Sequence, residues 1–134
     1  MVIHSLLFWG LFGMLVEICF TALRKLISDR KINMVGHTSL WMFPVYSLGL
    51  SYGFDFVVWL VQDETIRYLT YPLWIWAVEL LIGIPTTKRD IWIWDYRYLP
   101  RFLHWKGVIS FAHYPLWAGF GILVEIIKNN CMQI

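Results

Sequence analysis

Residues 2–23 read VIHSLLFWGLFGMLVEICFTAL. This stretch holds one acid, Glu17, one histidine, His4, and no base. A membrane-crossing helix needs about 20 predominantly apolar residues. The core helix of a soluble bundle instead carries a polar, charged outer face, and none can be drawn here. Three further stretches follow the same pattern. They are Leu40 to Val61, Ile66 to Ile84 and Gly107 to Ile127, each with one or two ionisable groups in an otherwise apolar or aromatic run. The reading is all-α: a four-helix integral membrane bundle over residues 1–134, with helices near 2–23, 40–61, 66–84 and 107–127.

Composition points the same way. Of 134 residues, 59% are apolar, 19% aromatic and 15% charged. Soluble domains hold about 45–50% apolar and about 25% charged residues. The chain is too apolar to be disordered and too poor in charge to cover a soluble surface. Two cysteines, Cys19 and Cys131, make neither a disulfide framework nor a zinc pattern. A net charge of +2 gives no basis for nucleic-acid binding. The expected partners are the lipid bilayer and either further copies of the chain or other membrane subunits.

Basic residues set an orientation. Arg24, Lys25, Arg30 and Lys31 occupy the first connection, and Lys88, Arg89, Arg97, Arg101 and Lys106 the third. The second connection has Arg67 and the C-terminus Lys128. The positive-inside rule places connections one and three in the cytoplasm and both termini outside. Met1-Val2-Ile3-His4 offers no basic start for a signal peptide. Without targeting segments or long tails, the expected location is a bacterial inner membrane. The third connection, Pro85 to Lys106, alternates bulky aromatics through Ile91-Trp92-Ile93-Trp94-Asp95-Tyr96-Arg97-Tyr98. Two placements suit it: flat in the headgroup interface, or folded as a cap over a site between the helices.

Ionisable groups inside a bilayer are costly and need a reason. Glu17 and Glu79 lie about five or six residues from the cytoplasmic ends of helices one and three, roughly 8–9 Å below the inner surface. Facing inward, they could share a proton, a cation or a polar head, or serve as packing groups bonded to Thr21, Tyr46 or a loop arginine. Gly13, Glu17 and Thr21 form one stripe, as do Glu79 and Gly83, His113, Trp117, Gly121 and Glu125, and Ser47, Ser51 and Asp55. Glu125 reads as a solvated helix end and Asp55 as a candidate outer vestibule. Thr38-Ser39 reads first as a helix N-cap. A metal at Glu17, Glu79 and His37 would need a convergence that spacing does not show, so no metal or cofactor is assigned. The two halves share one plan, an acid near the inner end, a basic loop and a returning helix, which fits an internal repeat although residue identity between them is low.

These spacings resemble a known family. Gly13-x3-Glu17-x2-Phe20-Thr21-Ala22 is similar to the first helix of the transmembrane protein 229 family and of the CmpB-like proteins described as type IV ABC-transporter permeases. Gly36-x-Thr38-Ser39-x-Trp41-x4-Tyr46, Tyr71-x-Leu73-Trp74-x4-Glu79-x3-Gly83, Trp94-Asp95-Tyr96 and Gly107-x-Ile109 with Trp117 resemble the segments that follow in that family. One departure is His113, where the family pattern has tyrosine. The resemblance picks out Glu17, Thr21, Thr38, Ser39, Trp41, Tyr46, Glu79, Trp94, Asp95 and Tyr96 as a candidate ligand-binding set and implies a transport-type component; the paired carboxylates give the expected ligand as a cation, proton or polar head group, held in a pocket that faces the cytoplasm. Two alternatives stand beside it: a membrane-embedded enzyme acting on a lipid or isoprenoid, with Glu17, Glu79 and Asp95 as acid and base groups, and a structural or assembly subunit of a larger membrane complex. No nucleophile elbow, phosphate loop or HExxH motif favours the enzyme.

Overall fold

The structure is a computed structural model, and it describes residues 2–30 and 32–131. The chain is mostly helical and divides into two compact units, residues 1–55 and 56–134.

In the first unit, helix α1 (Val2–Asp29) runs two turns past the apolar stretch through Arg24-Lys25-Leu26, all good helix formers. It stops at Arg30, whose backbone is left-handed at φ +52°. The chain returns along α1 and enters α2 (Met42–Leu48). Gly10 and Gly13 allow α2 its close approach. A Cβ on Gly13 would lie 2.1 Å from Tyr46 Cγ, and one on Gly10 would lie 2.4 Å from Ser47 Oγ. Ser47 also donates to the Leu6 carbonyl at 2.8 Å, and Trp9 is fully buried. Helix α2 passes into a π-helical turn, Gly49–Gly53, and on into α3 (Phe54–Leu60). A π turn adds one residue to the turn and rotates everything beyond it. The expected Ser47, Ser51 and Asp55 stripe is broken there: Ser47 and Ser51 are buried and Asp55 is exposed.

In the second unit, Asp63 caps α4 (Glu64–Thr87) by accepting from the Ile66 amide at 2.9 Å. Beyond Asp90, itself left-handed at φ +59°, an irregular loop leads to a small antiparallel hairpin. Strands β1 (His104–Trp105) and β2 (Ile109–Ser110) pair His104 with Ser110 and Trp105 with Ile109. The last helix, α5 (Tyr114–Cys131), starts seven residues later than the expected Gly107. Gly107 has φ +72° and turns the hairpin, a conformation no helix includes. Pro115, in the first turn of α5, needs no amide partner there.

Helices α1 and α4 are long and apolar enough to cross a membrane. The helical stretch through α2 and α3 is interrupted by its π turn, and α5 is 18 residues long and carries Glu125 and Lys128.

Candidate functional site

Each unit carries an acid on its long helix, bonded by a hydroxyl from the loop that follows. In the first unit, Thr38 Oγ1 donates to Glu17 Oε2 at 2.9 Å. The loop reaches Glu17 because Gly36 passes directly over the Ile18 carbonyl, where a Cβ would sit 1.9 Å from the oxygen. Thr21 pins the same segment. Its hydroxyl oxygen accepts from the His37 amide at 2.8 Å and lies 3.0 Å from the Ile18 carbonyl, to which it donates. Glu17, Thr21 and Thr38 are thus brought together. Tyr46 packs on Gly13, one turn along α1. Ser39 and Trp41 are not part of this group. Trp41 is exposed, and Ser39 Oγ accepts from its amide at 3.3 Å. Helix α2 begins at Met42, too late for Thr38 or Ser39 to be its N-cap, although the Ser39 carbonyl accepts from the Met42 amide at 2.9 Å.

In the second unit, Trp94-Asp95-Tyr96 divides its work by alternation. Trp94 Nε1 donates to the Val108 carbonyl at 2.8 Å, and the Trp94 ring and Val108 lie against Gly83. Tyr96 is buried and donates to Glu79 Oε1 at 2.7 Å. Asp95 points away and takes a two-pronged contact from Arg97, with Nε at 2.9 Å and Nη2 at 2.7 Å. The hydrogen bonds from Arg97 hold the Asp95 carboxyl below the usual carboxylate range. Arg97 in turn lies 3.8 Å above the Trp92 ring. Asp95 therefore belongs to an exposed loop clamp and has no hydrogen bond to the Glu79 group. The third connection is folded against α4 by these inward contacts rather than extended.

Glu79 is 8% exposed. Its Oε2 has no hydrogen-bond partner among the described residues. The α4–α5 seam is closed by contacts further along the two helices. Gly121 faces Tyr71, where a Cβ would meet the ring at 2.4 Å, and Glu125 faces Arg67. The His113 ring lies 5.3 Å from Tyr96 and 6.3 Å from Trp117. Among the described residues, no group of three or more His, Cys, Asp or Glu side chains is placed to hold a metal ion.

The strongest polar network was not legible as a site. Glu125 is not a solvated helix end: it is 5% exposed, as is Arg67. Arg67 Nε donates to Glu125 Oε2 at 3.0 Å, Nη2 donates to Oε1, and Tyr71 donates to Oε2. Arg67 Nη1 also donates to the carbonyls of Val61 at 2.8 Å and Gln62 at 3.2 Å, just beyond α3. Every oxygen of Glu125 is satisfied, which makes this a clasp rather than a binding group. Arg67 and Tyr71 are four apart on one helix, and Glu125 lies at the matching end of its antiparallel neighbour. That pairing is the sequence signal for it.

No protein-family model matches the chain, and no solved structure does.

Proposed function

We propose that the chain is a multi-pass membrane protein of transport type, in which Glu79 binds a cation, a proton or a polar head group. The observation that carries this reading is a carboxyl 8% exposed, held by one hydroxyl, with its second oxygen unbonded among the described residues. Buried carboxyls ordinarily have several partners, and ionisable groups within membrane spans are functional more often than not. Exposed apolar stripes support a lipid setting. Leu7, Leu11 and Leu15 line one side of α1, and Leu69, Leu73 and Leu81 are exposed along α4. The stretch through α2 and α3 and helix α5 would complete four spans, with the basic connections on the cytoplasmic side of a bacterial inner membrane. The resemblance to CmpB-like permeases supplies the transport class. Glu17 with Thr38 would form a second, more open carboxyl group of the same kind. The test is Glu79→Gln, which keeps the side-chain shape and an acceptor for Tyr96. It should insert and fold like the parent and lose ligand binding. Unchanged binding in that variant overturns the reading.

A further inference from the structure

The segment that joins α4 to α5 turns back along α4 instead of leaving from its end. Val108 and the Trp94 ring lie against Gly83, one turn before α4 ends at Thr87. A valine side chain is short, so the hairpin backbone itself runs beside Gly83. The chain then descends. The Phe111 ring lies 5.5 Å from the Trp76 ring and the Tyr114 ring 5.9 Å from it, and the Tyr114 hydroxyl donates to the Leu69 carbonyl. From Gly83 to Trp76 is about 10 Å along a helix axis. Strand β2 and the 3-10 turn Phe111–His113 therefore accompany that length of α4 before α5 begins at Tyr114. Helix α5 has 18 residues, about 27 Å, which is less than the roughly 30 Å of a hydrocarbon core. The non-helical arm ahead of it supplies the missing depth.

Irregular backbone is tolerated at membrane depth only where the protein satisfies its polar groups. Here the hairpin bonds to itself. Strands β1 and β2 pair. The Tyr96 amide donates to the Gly107 carbonyl at 3.0 Å, the Val108 amide to the Trp105 carbonyl at 2.9 Å, and the Gly107 amide to His104 Nδ1 at 2.9 Å. Val108, Ile109 and Ser110 are buried. The outward side differs in kind. Phe102 is 78% exposed, and Trp105 and Phe111 are exposed as well. Lys106 Nζ lies 4.8 Å from the Trp105 ring centroid. Aromatic rings beside bases suit the headgroup layer. The charge is one-sided: from Lys88 to Lys106 there are five bases and two acids, and Arg97 engages one of those acids, Asp95. Lys88, Arg89, Arg101 and Lys106 are exposed and make no ion pair among the described residues. A surface of this sign complements the phosphates of anionic lipid. We propose that residues 91–113 form a re-entrant element seated in the cytoplasmic leaflet beside α4, with Phe102 and Trp105 among the lipids and Arg101 and Lys106 on the phosphates of anionic phospholipid. This rests on the reading of α4 as a membrane span and is independent of ligand binding at Glu79.

The experiment uses the full chain, with Cys19 and Cys131 replaced by serine, in vesicles of mixed phosphatidylcholine and phosphatidylglycerol. Spin labels go singly on Phe102→Cys and on Ala112→Cys, an exposed position of the descending arm. Leu73→Cys, exposed on α4, is the lipid reference, and Asn33→Cys, exposed in the first connection, is the water reference. Collision with oxygen, which concentrates in lipid, and with a water-soluble nickel chelate reads the depth of each label. Labels at Leu73 and Ala112 should favour oxygen, the label at Asn33 should favour nickel, and the label at Phe102 should lie between them. Native mass spectrometry then measures phosphatidylglycerol retained relative to phosphatidylcholine. The double variant Arg101→Gln with Lys106→Gln should lower that ratio roughly thirtyfold, about fivefold for each charge. A label at Leu73 in lipid, with Phe102 and Ala112 as open to nickel as Asn33, overturns the re-entrant element and leaves α4 as a span. Labels at Leu73, Phe102 and Ala112 all open to nickel overturn the membrane reading of the proposed function and this inference with it. Phe102 and Ala112 in lipid, with the same phosphatidylglycerol ratio in the double variant as in the parent, overturn the assignment of Arg101 and Lys106 to lipid phosphates.

Discussion

Removing the Glu125 carboxylate tests whether the Arg67 clasp holds the second unit together. In Glu125→Ala the guanidinium of Arg67, 5% exposed, loses both of its charged contacts and keeps, as hydrogen-bond acceptors among the described residues, the carbonyls of Val61 and Gln62. Tyr71 loses the same acceptor. Stranding one member of a buried ion pair costs about 3–5 kcal/mol, because the remaining charge is left in a poorly solvating interior. Replacing both members by apolar groups of similar size costs far less, since neither desolvated charge remains. The expected pattern is therefore strongly non-additive: Glu125→Leu, which strands Arg67 as Glu125→Ala does, and Arg67→Met are each severe, and the double variant Arg67→Met with Glu125→Leu is milder than either. Equilibrium unfolding in mixed micelles, followed by tryptophan fluorescence, gives the three free energies and their coupling. Single variants within about 0.5 kcal/mol of the parent, the behaviour of an exposed pair, would refute the burial argument. Additive singles would refute the coupling.

Three other outcomes follow from named contacts. Gly13→Ala places a Cβ 2.1 Å from Tyr46 Cγ, so α1 and α2 must part at a cost of about 1–3 kcal/mol; Gly49→Ala, where a Cβ meets nothing within 4 Å, should be neutral or stabilising in the same melt. Tyr96→Phe removes only the hydroxyl that serves Glu79, and should destabilise by about 1–3 kcal/mol in thermal unfolding without altering helix content by circular dichroism. The folded pKa of Asp95 lies below its unfolded value, so its contribution is complete above the ordinary carboxylate range, near pH 4, and is lost as pH falls further. Because the pair is exposed, Asp95→Asn should cost less than about 1 kcal/mol at neutral pH, with the difference fading on acidification; a larger gap, or one that grows in acid, contradicts this.

Helix positions were legible because apolar runs are long and nearly uninterrupted, and a helix is the one regular element that such a run can form over 20 residues. The late start of α5 was not, since GVISFAH is as apolar as the helix beyond it and only the backbone of Gly107 separates them. Spacing placed Glu17 beside Thr21 and Glu79 beside Gly83, which holds on any regular helix. It misplaced Asp55, because a π turn leaves no mark in hydropathy. Thr38 and Tyr96 were singled out through motif resemblance, and their hydroxyls do reach Glu17 and Glu79. Long-range partners such as Arg67 and Glu125 escape a one-dimensional reading, because burial belongs to the assembled seam and each residue alone looks like a charge near a helix end.

The alternation of Trp94, Asp95 and Tyr96 sets a parity on a segment that would otherwise pass for a tolerant loop. Adding or deleting one residue between Trp94 and Tyr96 would put Tyr96 out of step with the Trp94 anchor and draw its hydroxyl away from Glu79. Length changes between these two anchors should therefore be poorly tolerated. Single-residue insertions should be confined to the outward stretch around Tyr98 to Arg101, beyond the last inward anchor, and that is where a reporter tag belongs.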